Sequence, residues 1–474
     1  MHEPETKNQK PETANRIGQP STEAPELARR LGLFDATMIV MGGIVGSGIF
    51  INSYVVARQV HTPALVLGAW AAGGLIALAG AFIWAELAAL RPKVGGQYAY
   101  MREAFHPSIA FIYGWTLLLV TQTGGMAAVA VTFAKYFVSL TRAPVSDWTV
   151  AAIALGALTL INCLGVRAGS SVQNALMLMK ILVIAALVAC GVLLLSGRWA
   201  AATGQAVASG EAWRPSSAEG GWQLLTAFGA TMVPVLFAYG GWQTANFIAG
   251  EVRNPRRNLP LGLLIGVVGV IVLYLAVNIV YVGVLGVDGL AATETPASEV
   301  MRLAMGARGQ TLIAIGIAVS TLGFLSQSML TAPRVYFAMA EDRLFFKSVA
   351  KLDPRTRVPV VAIALQGVLA IVIALSGTYA QILSYVVAVD SIFFAITAAA
   401  LLVFHHREKL AGSANNASPF TLWSKRVMIV LFIIVESFVA VNTAYNYPTN
   451  SAIGLAILVS GIPVYFYWRA RLNK

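Results

Sequence analysis

The chain has 474 residues, 57% of them hydrophobic and 11% charged, with a formal net charge of +12. A soluble globular chain carries about 25% charged residues, and a mean hydropathy of +0.72 excludes that class. Apolar segments long enough to cross a bilayer recur along nearly the whole length and do not alternate in polarity. The β-barrel is therefore excluded as well, and an all-α membrane protein is expected.

In chain order, residues 1–33 are polar and rich in Pro, Glu and Thr. They lack the short apolar core of a signal peptide and read as a disordered cytoplasmic tail. Twelve apolar spans are expected after it, at about 34–57, 63–90, 105–140, 148–166, 172–196, 223–250, 260–286, 309–340, 358–376, 379–405, 424–446 and 450–469. An even number returns the C-terminus to the side of the N-terminus. With both termini inside, most of the 33 Lys and Arg fall in inner loops and tails. The outer loops hold Arg58, Arg142, Arg198, Arg214, Arg302 and Arg308. That asymmetry is the positive-inside pattern of a multi-pass protein of the plasma (cell inner) membrane. The basic balance thus reports topology and not a nucleic-acid partner. Cys163 and Cys190 both lie within spans, which suggests neither a disulfide framework nor a zinc site. No metal or cofactor is implied.

Two spans are weakened in their middles. The first contains "MIVMGGIVGSGIF", Met38–Phe50, where Gly42, Gly43, Gly46 and Gly48 crowd together, each costing about 0.8–1.0 kcal/mol against Ala in a helix interior. The sixth contains "PVLFAYGGWQTANF", Pro234–Phe247. Small-residue helix packing accounts for Gly42 and Gly46. It explains the adjacent Gly240 and Gly241, flanked by three aromatics, poorly. Interruptions at corresponding places match inverted repeats of five helices, with span 1 paired to span 6 and spans 11 and 12 outside. Backbone freed from a helix in hydrocarbon survives only where it lines a cavity. The N–H end of a broken helix suits an anion and the carbonyl end a cation. A free amino acid presents both charges about 2.5 Å apart, judged from ordinary bond lengths. The core of the first span has no Asp, Glu or Arg, so backbone dipoles there can hold a zwitterion without stranding a net charge.

The stretches "GGIVGSGIF", "FAYGGWQTANFIAGEVRNPRRNLP" and "STLGFLSQSMLTAPRVYFAMAED" resemble the amino acid–polyamine–organocation superfamily. They are most similar to the bacterial form of its L-type amino acid transporter branch, over about residues 30–470. The resemblance implies a LeuT-type 5+5 inverted repeat with broken helices 1 and 6. Repeat one would cover about 34–196, repeat two about 223–405, and helices 11 and 12 about 424–469, within one transporter domain over 34–470. It also implies that the substrate carboxylate meets the N–H groups of Ser47 and Gly48, and the ammonium the carbonyls of Ile44, Phe237 and Gly240. Phe237 corresponds to the aromatic gate over the substrate, and Trp242 and Gln243 to walls of the side-chain pocket. Lys180, at mid-depth in "VQNALMLMKILVIAALVACG", is costly there unless paired or hydrated. It matches a lysine that in relatives stands near the cation site of sodium-coupled members, so its ammonium is expected to bridge span 5 to the first-span backbone near Gly43.

Other intramembrane charges say less. Glu86 and Lys135 sit towards span ends, where snorkelling explains them. Glu251, Arg253, Arg256 and Arg257 close the sixth span at the cytoplasmic face, as inner-gate locks or topology markers. Asp390 and Glu436 lie deeper, where pairing or a proton path is conceivable, and neither role is assigned. "RPKVGGQYAYMREAF" resembles the family's re-entrant loop, with Gln97 where many relatives have an acid. The connection "LTRAPVSD" between spans 3 and 4 lacks the cysteine that links animal L-type transporters to a heavy chain, so no disulfide-linked subunit is expected.

The function expected is sodium-independent transport of neutral or zwitterionic L-amino acids by alternating access, as an exchanger or a proton-coupled symporter. A cationic amino acid or polyamine carrier is the alternative, and the absence of a carboxylate from either break weighs against it. A membrane sensor or a channel is disfavoured by the lack of a soluble signalling domain and of charged pore rings. An enzyme is disfavoured because the five His lie mostly in loops.

Overall fold

The computed structural model describes residues 27–196, 221–376, 379–410, 422–446 and 448–472. The tail expected over 1–33 therefore lies outside the described residues except for 27–33, as do Arg198 and Arg214. Among the described residues the structure is helical, and a single isolated bridge, Leu31 to Val252, is its only β pairing.

The first span is split into α1 (Leu33–Ile44) and α2 (Gly48–Val60), bent by 41° across residues 45–47. Then come α3 (Pro63–Leu90), the short α4 (Gln97–Ala104), α5 (Pro107–Thr116), one π-helical segment (Leu117–Thr121) and α6 (Gln122–Thr141). Next are α7 (Asp147–Cys163), α8 (Val166–Leu195) and α9 (Gly221–Tyr239), which gives way at Gly240 and Gly241 to a 3-10 segment (Trp242–Glu251). The remainder is α10 (Pro255–Ala292), α11 (Pro296–Thr331), α12 (Pro333–Glu341), α13 (Val360–Ala374), α14 (Tyr379–Leu410), α15 (Leu422–Asn446) and α16 (Pro448–Leu472).

Local chemistry sets many of these boundaries. α3, α5, α10, α11 and α12 begin with proline in the first turn, where a missing N–H costs nothing. The Thr62 and Ser146 hydroxyls accept from Leu65 N–H and Thr149 N–H and so cap α3 and α7.

Among the described residues, eight stretches are long and apolar enough to cross a bilayer, or nine if the bent pair α1–α2 counts as one span. That is fewer than the twelve expected. The difference has a physical source: α7 and α13 are apolar but only 17 and 15 residues long, and the sixth span is divided by its glycine pair. Large apolar side chains such as Leu160, Leu182, Val272, Val368 and Val441 point outward on α7, α8, α10, α13 and α15, as a lipid-facing surface requires. Inside, α10 packs along α3 and α1, α11 packs along α8 and α6, and α9 packs on α2. This brings both breaks to the middle of the helix cluster.

Candidate functional site

The first break frees a run of carbonyls, and those of Gly42, Ile44, Val45 and Gly46 can be traced to side-chain partners. Lys180, wholly buried midway along α8, donates to Val45 O at 2.5 Å and to Gly42 O at 3.2 Å. The Tyr274 hydroxyl of α10 donates to Ile44 O at 3.1 Å, and the Ser320 hydroxyl of α11 to Gly46 O at 3.0 Å. The ammonium thus lands on the carbonyls flanking Gly43, not on Gly43 itself. Tyr274 and Ser320 went unnoticed in the sequence, because nothing in their own spans marks which carbonyl they meet.

The second break is built against the first. Gly241 has φ +102, in the left-handed region that favours glycine. A Cβ on it would stand 2.1 Å from Gly43 O, and one on Gly43 would stand 2.6 Å from Gly241 O. The two peptide backbones touch, and neither position tolerates a side chain. Tyr274 ties them further, since the same hydroxyl reaches Ala238 O at 3.2 Å. Asn52 of α2 adds a bond to Pro234 O at 2.8 Å. Gln243 turns its side-chain oxygen onto Gly241 N–H at 3.0 Å, so it braces the break as well as facing the cavity. Gly240 N–H donates to Phe237 O at 3.2 Å. The carbonyls of Ile44 and Phe237, assigned by resemblance to a substrate ammonium, therefore each already accept one hydrogen bond.

Between the breaks lies a cavity whose walls include Gly43, Ile44, Ser47, Gly48, Phe237, Gly240 and Gln243. The structure thus brings every sequence-expected site residue except Lys180 to one space, with Lys180 standing behind it as a strut. Ser47 caps the N-terminus of α2, yet its hydroxyl bonds to nothing and is buried at 2% exposure. In the first turn of α2, Phe50 N–H is taken by Ser47 O at 3.1 Å, and the amides of Gly48 and Ile49 are left without an intrahelical acceptor. This wall offers an unpaired donor set at a positive helix end, while the C-terminal end of α9 presents carbonyls opposite. Phe237 is half-buried at the cavity edge, and Trp242 is buried, edge-on to Trp84 and stacked on Phe394.

The charged groups add to the sequence reading. Glu86 does not simply snorkel, for its carboxylate meets His405 Nε2 at 2.9 Å. Glu251 forms a two-pronged ion pair with Arg334 of α12, at 2.8 and 3.0 Å, and both side chains are wholly buried. Its carbonyl also accepts from Arg30 N–H and Leu31 N–H. Asp390 and Glu436, given no role from sequence, both line the cavity. A carboxylate is therefore present beside the breaks after all, contributed by α14 and α15, and the weight placed against a cationic substrate is withdrawn.

Gln97, on the loop helix α4, accepts from the Tyr113 hydroxyl at 3.0 Å and donates to Thr397 at 3.2 Å. It is a buried junction and not a titrating group.

Comparison with known proteins extends this picture. A family model described as amino acid permease matches residues 31–466. The chain is 30% identical to the b(0,+)-type amino acid transporter 1 of Mus musculus over 465 residues, 94% of this chain and 91% of that one. It is 26% identical to the large neutral amino acids transporter small subunit 2 of Homo sapiens over 455 residues, 94% of this chain and 81% of that one.

Proposed function

The chain belongs to the amino acid permease family, whose members are membrane transporters and not enzymes, and from that premise we propose that it carries L-amino acids by gripping their zwitterionic head between the two breaks. The single observation that carries the reading is the pairing of opposite helix ends across one cavity. On one side are the buried, unpartnered Ser47 hydroxyl and the free amides of α2; on the other is the carbonyl end of α9 at Phe237–Gly240. The carboxylate sits at the first and the ammonium at the second. Ile44 O and Phe237 O keep one lone pair each for the ammonium, because a carbonyl oxygen accepts two bonds.

The reading extends to coupling. The carbonyls a sodium ion would need at the first break are those of Gly42 and Val45, and the Lys180 ammonium holds them. Transport is accordingly sodium-independent, with exchange or proton coupling driving it. Alternating access within a twelve-helix, LeuT-type 5+5 arrangement supplies the movement. Phe237 covers the substrate from outside, and the buried Glu251–Arg334 pair closes the cytoplasmic side. Substrate binds the occluded state more tightly than the open ones and so favours reorientation. Both termini face the cytoplasm by the distribution of Lys and Arg. The relatives named as small subunits point to a partner chain for those proteins. The connection at residues 140–147 has no cysteine here, and this chain works without a disulfide-linked subunit.

The test is uptake of a radiolabelled amino-acid panel into proteoliposomes. It is run with and without internal substrate, a sodium gradient and a pH gradient. Saturable uptake that ignores sodium supports the reading. Uptake that requires sodium overturns the role of Lys180, and the absence of any saturable amino acid uptake overturns the whole.

A further inference from the structure

The zwitterion grip uses only part of the cavity wall. The same wall includes Asp390 and Ser391 of α14 and Glu436 of α15, and α14 packs on the π-helical segment and on α6, which contribute Thr121 and Gln122. Glu436 is 4% exposed, accepts a hydrogen bond from the Ser391 hydroxyl, and lies close enough to Asp390 for the two charges to repel. Among the described residues that line the cavity there is no Lys, Arg or His. Two acids thus share a buried space with no resident cation, and the head group between the breaks brings no net charge to offset them. Carboxylates at membrane depth are retained where they serve a ligand or an ion.

A second observation is independent of the acids. The Thr121 hydroxyl, at 6% exposure, and the Gln122 side-chain oxygen both lie against the cavity with no hydrogen-bond partner. The π turn Leu117–Thr121 places them there. It inserts an extra residue into the turn, a device frequent at functional sites, and the Thr123 hydroxyl donates to Leu118 O, which that turn frees. Gln122 Oε1 is an acceptor, and the Thr121 hydroxyl can serve as one. With the two carboxylates, acceptors predominate on this wall, beside the hydroxyls of Thr121 and Ser391 and the amide group of Gln122.

We propose that Thr121, Gln122, Asp390 and Glu436 form a subsite for a second ammonium on the substrate, so that the preferred cargo is a dibasic L-amino acid of the lysine or ornithine type. The inference rests on the zwitterion reading of the breaks and adds the side-chain end to it. An ammonium carries three donors and no acceptor, which matches this wall. A lysine side chain extends about 6 Å from its α-carbon, from bond lengths of about 1.5 Å, so its terminal amine stands well clear of the head group within the same cavity. The competing use of the same acids is as proton carriers for a neutral substrate.

The experiment compares L-lysine with L-norleucine, which has the same carbon chain without the terminal amine. The full chain is reconstituted in liposomes with the membrane potential clamped at zero, so that lysine gains no electrical advantage. Apparent affinities are read by counterflow for the wild type, Asp390→Asn and Glu436→Gln. The expected result is a wild-type preference for lysine of at least tenfold, and a lysine-to-norleucine ratio that falls about tenfold in either variant. The ratio is insensitive to partial loss of folded protein. A wild-type ratio within twofold of unity, or a ratio unchanged in both variants, overturns the subsite alone and leaves the head grip standing. So does norleucine uptake driven by an imposed pH gradient and lost in Asp390→Asn with the ratio unmoved, which assigns the acids to protons. Saturable transport of neither compound overturns the head grip and the subsite together.

Discussion

Replacing Lys180 by Met keeps the length of the side chain and removes only its charge and donors. The ammonium makes two bonds, to Val45 O at 2.5 Å and Gly42 O at 3.2 Å. Bonds to a charged group are worth about 1.5–3 kcal/mol each, so the pair contributes about 3–6 kcal/mol. Burying the ammonium costs several kcal/mol, and the two terms nearly cancel in global stability. They do not cancel at the break. Each carbonyl left buried and bare costs about 1–3 kcal/mol, or about 2–6 kcal/mol for both. The first span recovers that energy by closing its helix over residues 45–47. Even the low end, about 2 kcal/mol, shifts the balance from the bent to the closed form about 30-fold, and apparent affinity falls by up to that factor. Lys180→Met should therefore retain a thermal midpoint within a few degrees of wild type while losing about tenfold to 30-fold in apparent affinity for a transported amino acid. Affinity within threefold of wild type, in protein shown to be monodisperse, refutes the assignment of Lys180 as the strut of the break.

The neighbouring contacts give further outcomes. Gly241→Ala sets a Cβ 2.1 Å from Gly43 O at a φ of +102; about 1–3 kcal/mol of strain plus the forced separation should cost at least tenfold in uptake. Gly156→Ala, where a Cβ meets nothing within 4 Å, should stay within twofold in the same assay. Tyr274→Phe removes the hydroxyl shared by Ile44 O and Ala238 O. The hydroxyl has one hydrogen to donate, so at about 1 kcal/mol for that bond the variant should weaken binding about fivefold, read as a Kd. Arg334→Met leaves the Glu251 carboxylate buried without its countercharge and should cost about 3–5 kcal/mol, seen as a lowered Tm. Arg334→Met combined with Glu251→Met should recover most of that loss, and a double variant no more stable than the single would refute the pairing argument.

Much of the helical character and the two weak points were legible because a membrane makes backbone accounting strict. An apolar run must be helical, and a cluster such as Gly42–Gly48 or Gly240–Gly241 must mark a place where helix is given up. The cavity residues Ser47, Gly48, Phe237 and Gly240 came from the family resemblance, and the structure sets them around one space. The partners of the freed carbonyls were not legible. Tyr274 lies 230 residues from Ile44, and Ser320 lies 274 from Gly46; each is an ordinary polar residue in an apolar span until folding aims it. The close approach of Gly43 to Gly241 hides in the same way, because each glycine taken alone reads as helix packing. Glu86 was misjudged because its partner, His405, is 319 positions away. Asp390 and Glu436 escaped because the search for a cavity carboxylate stopped at the breaks, whereas the cavity has a second wall.

That second wall bears on how the site moves. The two breaks lie in close backbone approach at Gly43 and Gly241 and are joined by two polar ties, the Tyr274 hydroxyl and the Asn52 bond to Pro234 O. Lys180 and Ser320 fasten the first break to α8 and α11. Pulling any of these apart in a dry interior orphans a buried donor or acceptor, at about 1–3 kcal/mol each. The contact of the second break with α14 is of another kind, the stacking of Trp242 on Phe394 with ring centroids 5.7 Å apart, and apolar surfaces slide without leaving a polar group bare. Motion that opens the site is therefore cheapest where the break pair, moving as one unit, slips along α14. Any group that substrate bridges between Ser47 on one side and Asp390 on the other lies across that slip plane. Under the proposed grip and subsite, cargo supplies a polar tie across that interface, which is the differential contact a population shift requires.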